Sequence, residues 1–155
     1  MCKLSKFKIY FKAILIPLIV GGVVGLIMSG SIDYNTLKQP PLAPPGWLFP
    51  VVWTLLYIFM GVSYGLLEEK GKLDTKTKVI YYVQLGINAL WSIIFFVLKL
   101  RLLAFIWIIL LDVVVIWYIL TLYNKDKTAG WLQIPYLVWI SFATYLNYAV
   151  YLLNR

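Results

Sequence analysis

Charged residues fall in clusters along this chain, and between the clusters lie long apolar runs. Ala13–Ile32 separates Lys12 from Asp33, and Gln39–Leu67 separates Lys38 from Glu68. Val79–Leu98 lies between Lys78 and Lys99, Leu102–Asn124 is interrupted only by Asp112, and Thr128–Asn154 completes the series. Crossing a hydrocarbon core about 30 Å thick takes about 20 mostly apolar residues in a helix. The pattern therefore predicts an all-α integral membrane bundle of five transmembrane helices in one domain, residues 1–155. The helices are expected near 9–30, 46–67, 78–98, 102–123 and 129–153. A barrel would need strict alternation of polar and apolar residues, which these runs lack. The first run, with Lys3, Lys6, Lys8 and Lys12 before it, is longer than the 7–15 residues of a signal-peptide core. It is read as an uncleaved first helix.

Composition agrees. Hydrophobic residues make up 63% of the chain and charged ones 13%, with a mean hydropathy of +0.86. A soluble domain carries about 25% charged residues, so a soluble enzyme, a disordered tail and a disulfide-stapled module are excluded. The lone Cys2 has no internal disulfide partner and sits in no lipidation motif. With no histidine, the commonest general base, the commonest haem ligand and any Cys/His zinc site are missing. No metal site, no resident cofactor and no nucleic-acid partner is expected.

Basic residues set the orientation. Lys3, Lys6, Lys8, Lys12, Lys70, Lys72, Lys76, Lys78, Lys125 and Lys127 fall on one side of the predicted membrane. Lys38, Lys99, Arg101 and Arg155 fall on the other. Ten against four puts the N-terminus in the cytoplasm of a multi-pass protein, in a bacterial cytoplasmic membrane. Anionic headgroups account for the net charge of +8.

Four stretches carry more than hydrophobicity. Lys38–Trp47 includes Pro40, Pro41, Pro44 and Pro45, a stiff extended run that is either a connector or a lid over the mouth of the bundle. In the second helix Phe49, Trp53 and Tyr57 form an aromatic stripe, and Gly61 and Gly65 form a small-residue pair. Gly21, Gly25 and Ser29 repeat that spacing in the first helix, and these glycines are read as helix-packing positions. Tyr81, Gln84, Asn88, Trp91, Ser92 and Phe95 share one face of the third helix. Amides facing lipid are costly, so this face points inward, to make interhelical hydrogen bonds or to wall a ligand. In the fifth helix Trp139, Ala143, Leu146 and Asn147 share a side flanked by Phe142. Pro135 predicts a kink there, because its missing N–H leaves the Trp131 carbonyl free. Asp112, the one acid inside a span, has only aliphatic neighbours one turn away, so it reaches another helix or is protonated.

The run from Pro40 to Tyr57, ending Val52-Trp53-Thr54-Leu55-Leu56-Tyr57, closely resembles the TspO/MBR family. These are the tryptophan-rich sensory proteins of bacteria and the mitochondrial translocator protein, or peripheral-type benzodiazepine receptor. The resemblance continues through Asn88-Ala89-Leu90-Trp91, Phe95-Phe96, Lys99, Pro135-Tyr136-Leu137-Val138-Trp139, Phe142-Ala143-Thr144 and Leu146-Asn147-Tyr148. It implies a five-helix bundle, often a homodimer, with a cavity beneath the first loop. Family ligands are porphyrins, sterols in animals, and flat synthetic drugs. Carried over by position, the ligand-binding residues would be Trp53, Asn88, Trp91, Phe95, Trp139, Ala143 and Asn147, to which the stripe and lid add Tyr57, Pro44 and Pro45. Light-dependent breakdown of protoporphyrin IX in bacterial members would fall on Trp53 and Trp139 as catalytic residues. Leu42 stands where many relatives have a lid tryptophan. Leu152 takes the arginine position of the animal sterol pattern, which argues against sterol as the natural ligand. Of the family's small-residue pattern on the third helix only Gly86 is left, which weakens dimerisation by that face.

Three functions follow. The first is a receptor or sensor that binds a metal-free porphyrin and regulates or scavenges tetrapyrroles, with a cation such as Lys38 near a propionate. The second is a photochemical porphyrin-degrading enzyme using Trp53 and Trp139. The third is a small-molecule transporter, against which the single intramembrane acid and odd helix number count.

Overall fold

The computed structural model describes residues 3–155, and every regular element in that range is helical; Cys2 and the question of its lipidation lie outside the described residues. Helix α1 spans Lys3–Met28, α2 Leu48–Glu69, α3 Thr75–Ser92, α4 Arg101–Lys125, α5 Lys127–Trp131 and α6 Ile134–Leu153. A short 3₁₀ turn at Tyr34–Thr36 lies in the α1–α2 loop, and α3 continues as a π-helix over Ile93–Val97. Five helical stretches are long and apolar enough to span a bilayer, α5 and α6 together making the fifth.

Polar contacts place the starts of α1, α3 and α5. Helix α1 starts six residues before the expected boundary, because Lys6 pairs with Glu69 at 2.6 Å and Tyr10 donates to the same carboxylate at 2.6 Å. Helix α3 starts at Thr75 because the Asp74 carboxylate accepts from the Thr77 N–H at 2.9 Å, satisfying a first-turn donor. Asp126 caps α5 through the Ala129 N–H at 3.1 Å. At Pro135 the expected kink is a full break. Helix α5 stops at Trp131, and α6 starts afresh with the proline in its first turn, where its missing N–H costs nothing.

The basic end expected from the sequence is one end of the molecule. Lys6–Glu69, Lys70–Asp126 at 2.5 Å and Lys125–Asp74 at 2.7 Å join the N-terminal tail, the α2–α3 loop and the α4–α5 junction. The α1–α2 loop, the α3–α4 turn and the C-terminus meet at the opposite end.

Helices α1 and α2 pack with almost no gap. A Cβ at Gly61 would lie 2.4 Å from Ile14 Cα and 2.7 Å from the Ala13 carbonyl oxygen. That carbonyl is the one deprived of its helical donor by Pro17, four residues on. The glycine thus lets α2 close over a backbone group that α1 itself leaves unsatisfied. Gly65 fits against the Tyr10 ring and Gly21 against the Tyr57 ring in the same way. Gly25 departs from the packing role read from its spacing: a Cβ there meets nothing within 4 Å, because the residue borders open space.

Two glycine substitutions should therefore diverge. Gly61→Ala should lower bundle stability by about 1–3 kcal/mol through overpacking against backbone. Gly25→Ala should leave it unchanged or raise it by up to about 1 kcal/mol. Thermal unfolding of the two variants in one detergent decides between them, and equal midpoints would refute the close α1–α2 contact.

Candidate functional site

Hydrogen bonds from side chains of one element to side chains or carbonyls of another fix the interior of the bundle. The Tyr136 hydroxyl on α6 donates to Gln84 Oε1 at 2.9 Å and accepts from Asn88 Nδ2 at 3.0 Å, both on α3. All three residues are buried. Trp91 Nε1 donates to Asn147 Oδ1 at 3.3 Å, extending the α3–α6 contact by a turn. Ser63 on α2 donates to the Ala129 carbonyl at 2.5 Å, and Gln133 Nε2 donates to the Phe59 carbonyl at 3.2 Å. Asp112 finds its partners on another helix: Thr144 and Ser141 of α6 donate to its carboxylate at 2.7 and 3.3 Å.

Towards the lid end this packed core gives way to a cavity of about 510 Å³. Phe49, Trp53 and Tyr57 of α2 form one wall, and Trp91, Ser92 and Phe96 form another at the α3–π-helix junction. The third wall is α1, through Leu18, Gly21, Gly22, Val24, Gly25 and Met28, and Ile32, Tyr34 and Gly46 of the loop close the top. Nearly every lining group is apolar or aromatic. Trp53 is the centre of the ring cluster, with Tyr57 at 5.6 Å, Tyr136 at 6.2 Å and Trp91 at 6.3 Å between centroids.

Of the ligand-binding residues expected from the sequence, Trp53, Tyr57 and Trp91 line this cavity directly. Phe95 lies behind Trp91, its centroid 6.0 Å away, and is nearly buried. Trp139 lies behind Phe49 at 5.7 Å, and its indole N–H is buried without an acceptor. Asn88, Ala143 and Asn147 are buried, Asn88 bonded to Tyr136 and Asn147 to Trp91, and Asn88 keeps an unpaired carbonyl oxygen. Pro44 and Pro45 lie in the covering loop, where the Pro44 carbonyl accepts from the Tyr34 hydroxyl at 2.7 Å. Trp53 and Trp139 are thus on different layers, one at the cavity surface and one behind it. The reading of the sequence missed the α1 wall, since glycines and aliphatics on a first helix carry no chemical signature. Their one signal is a glycine pair, Gly21-Gly22, of which only the first is needed for packing.

The loop over the cavity is tied down at few points. Asn154 brackets the Lys38 backbone, accepting from its N–H at 3.0 Å and donating to its carbonyl at 3.1 Å, and Tyr145 donates to the Pro41 carbonyl at 3.0 Å. The remaining tie is electrostatic. Both oxygens of Asp33 accept from Arg101 Nη2, at 2.9 and 2.8 Å, with Lys99 Nζ at 3.4 Å. Burial by itself raises the Asp33 carboxyl, but the hydrogen bonds and charge of Arg101, then of Lys99, outweigh it and hold the group below the usual carboxylate range. Burial likewise pushes the Tyr34 phenol up.

The TspO/MBR family model matches residues 13–153. A tryptophan-rich protein TspO of Archaeoglobus fulgidus is 41% identical over 145 residues, 92% of this chain and 94% of the relative. A tryptophan-rich sensory protein of Cereibacter sphaeroides is 33% identical, covering 84% and 82%. The human translocator protein is 34% identical, covering 76% and 72%.

Two results are expected from this geometry. Tyr136→Phe strands Gln84 Oε1 and the Asn88 amide in the core, so it should cost about 1–3 kcal/mol in unfolding experiments. The loop contact has a pH dependence of definite sign. Asp33 binds fewer protons folded than unfolded, so its contribution is complete above about pH 4 and fades as pH falls through its lowered value. Proteolysis within 33–47 should be flat from pH 7 down to about pH 4 and rise below it; a rise already at pH 6 would contradict the assignment.

Proposed function

The chain belongs to the TspO/MBR family, and from that premise we propose that this integral membrane protein is a receptor for a porphyrin, held in the cavity beneath the α1–α2 loop. The observation that carries this reading is the cavity itself. Its volume of about 510 Å³ falls within the roughly 300–1,000 Å³ of small-ligand sites. Its walls offer indole and phenol faces from Trp53, Tyr57 and Trp91, opposite an α1 surface kept low by Gly22 and Gly25. A cavity with rings on two walls and an aliphatic, glycine-containing α1 wall suits a flat apolar macrocycle. Protoporphyrin IX, the ligand type suggested by the family resemblance, has that shape.

A second reading is light-dependent degradation of the bound porphyrin. The continuous ring cluster of Trp53, Trp91, Tyr57 and Tyr136 favours it, since neighbouring centroids lie about 6 Å apart and an excited ring stacked on Trp53 has oxidisable partners at contact distance. The ten-to-four division of basic residues supports a cytoplasmic N-terminus, with the cavity end facing the opposite side.

Protoporphyrin IX titrated in the dark into detergent-purified protein should quench tryptophan fluorescence saturably. Trp53→Phe removes one indole face, worth about 0.5–1.5 kcal/mol, so Kd should rise roughly 2- to 13-fold. Absence of saturable quenching overturns the porphyrin assignment. Under illumination, protein-dependent bleaching to a defined product that is lost in Trp53→Phe would select the enzymatic reading over the receptor.

A further inference from the structure

The ion pair that ties the loop to the helices is built more elaborately than a tether requires. Arg101 is itself held from two sides before it meets Asp33. One Nη donates to the Phe95 carbonyl, which the π-helix leaves outside the ordinary helical ladder, and the guanidinium carbon sits 4.3 Å from the Phe95 ring centroid. Its side chain is only 12% exposed. What remains free of the guanidinium points at a carboxylate, with both Asp33 oxygens within 3 Å. A preoriented guanidinium partly shielded from water is the arrangement that recognises carboxylates well.

The charges around it are unbalanced. Lys38, Lys99, Arg101 and Arg155 lie at this end of the molecule, and Asp33 is the one acidic side chain among them. Two of the cations share that single carboxylate. The acid also stands at the rim of the cavity, because its chain neighbours Ile32 and Tyr34 both line it. On the other side Arg101 rests on Phe95, which stacks behind the lining residue Trp91. Lys38, the cation singled out in the sequence, is held at its backbone by Asn154, and its side chain has no partner among the described residues.

We propose that Arg101, assisted by Lys99, is the receptor for a carboxylate carried on the edge of the cavity's ligand, and that Asp33 is the loop's own stand-in for it. The ligand's acid and Asp33 compete for the same guanidinium, so occupancy of the cavity and attachment of the loop are coupled. This rests on the porphyrin reading above and narrows it: the ligand is a planar apolar ring with an anionic side arm, and a neutral analogue loses the edge contact.

The test compares protoporphyrin IX with its dimethyl ester on the full chain, by dark tryptophan quenching. The wild type should prefer the free acid. Asp33→Asn removes the competitor, and one charge-assisted bond made without exchange should tighten the free acid roughly 10-fold while leaving the ester unchanged. Arg101→Gln should abolish the preference for the acid with ester affinity retained, and Arg101→Lys should restore part of it. Should Arg101→Gln fail to fold, Lys99→Asn reports instead, since Asn suits the positive φ of 57° at that exposed turn and removes one charge. It should weaken the acid and spare the ester. Equal affinity of acid and ester in the wild type, or an Asp33→Asn variant that weakens both alike, overturns the proposal and leaves the porphyrin site standing. Failure of both compounds to bind removes the porphyrin site and this inference with it.

Discussion

Water is absent from the hydrocarbon layer, so a polar side chain inside this bundle is costly unless another group of the protein bonds it. The Tyr136 hydroxyl shows the consequence most directly. It joins α6 to α3 through Gln84 and Asn88, and Trp91–Asn147 repeats the contact one turn further on. Lipid offers no hydrophobic drive for helix association, so bonds of this kind and close packing set which faces meet and at what height. With α3 and α6 locked together, the rings of Trp53 and Trp91 are held at the edge of the packed region. The cavity begins where the polar register ends.

Glycine serves opposite purposes within one turn of α1. Gly21 has no side chain because the Tyr57 ring occupies the space, just as Gly61 yields to the backbone of Ile14. Gly22 and Gly25 border emptiness, and a helical glycine that packs against nothing forfeits roughly 1 kcal/mol relative to alanine. Space next to a ring-lined wall is the return on that loss. Residue type and spacing are the same in both cases, so the distinction belongs to tertiary structure.

This separates what the sequence discloses from what it hides. Charge-free runs reveal the five crossings, because hydrocarbon thickness alone dictates their length. The inward face of α3 is equally legible, since Gln84 and Asn88 have nowhere else to go. Helix ends are less so. Lys6 and Thr75 are helical because Glu69 and Asp74 are nearby in space or sequence to receive donors, and hydropathy is blind to both. Depth is the hardest property to read. Trp53 and Trp139 each lie on an aromatic stripe, yet Phe49 stands between Trp139 and the cavity, and Asn147 is engaged with Trp91 instead of open space. Periodicity assigns a residue to a side of its helix but not to a layer within the bundle. The α1 wall is invisible for a related reason: aliphatic residues facing a void resemble aliphatic residues facing lipid.

The loop above the cavity follows from its own composition. The stiff extended run expected over Lys38–Trp47 is broken by a turn, in which the Pro40 carbonyl accepts from the Ala43 N–H at 3.2 Å and Leu42 takes a φ of 68°; its four prolines leave few backbone donors to satisfy. A segment that needs few partners is anchored by few. Asn154 and Tyr145 hold its start, at Lys38 and Pro41, through main-chain atoms, and Asp33 holds the residues just before it through charge. The main-chain anchor is indifferent to what the cavity contains. Only the ionic one presents a chemistry that an anionic molecule at the rim shares. Coupling between contents and cover therefore enters the structure through Arg101, a residue that lines no part of the cavity itself.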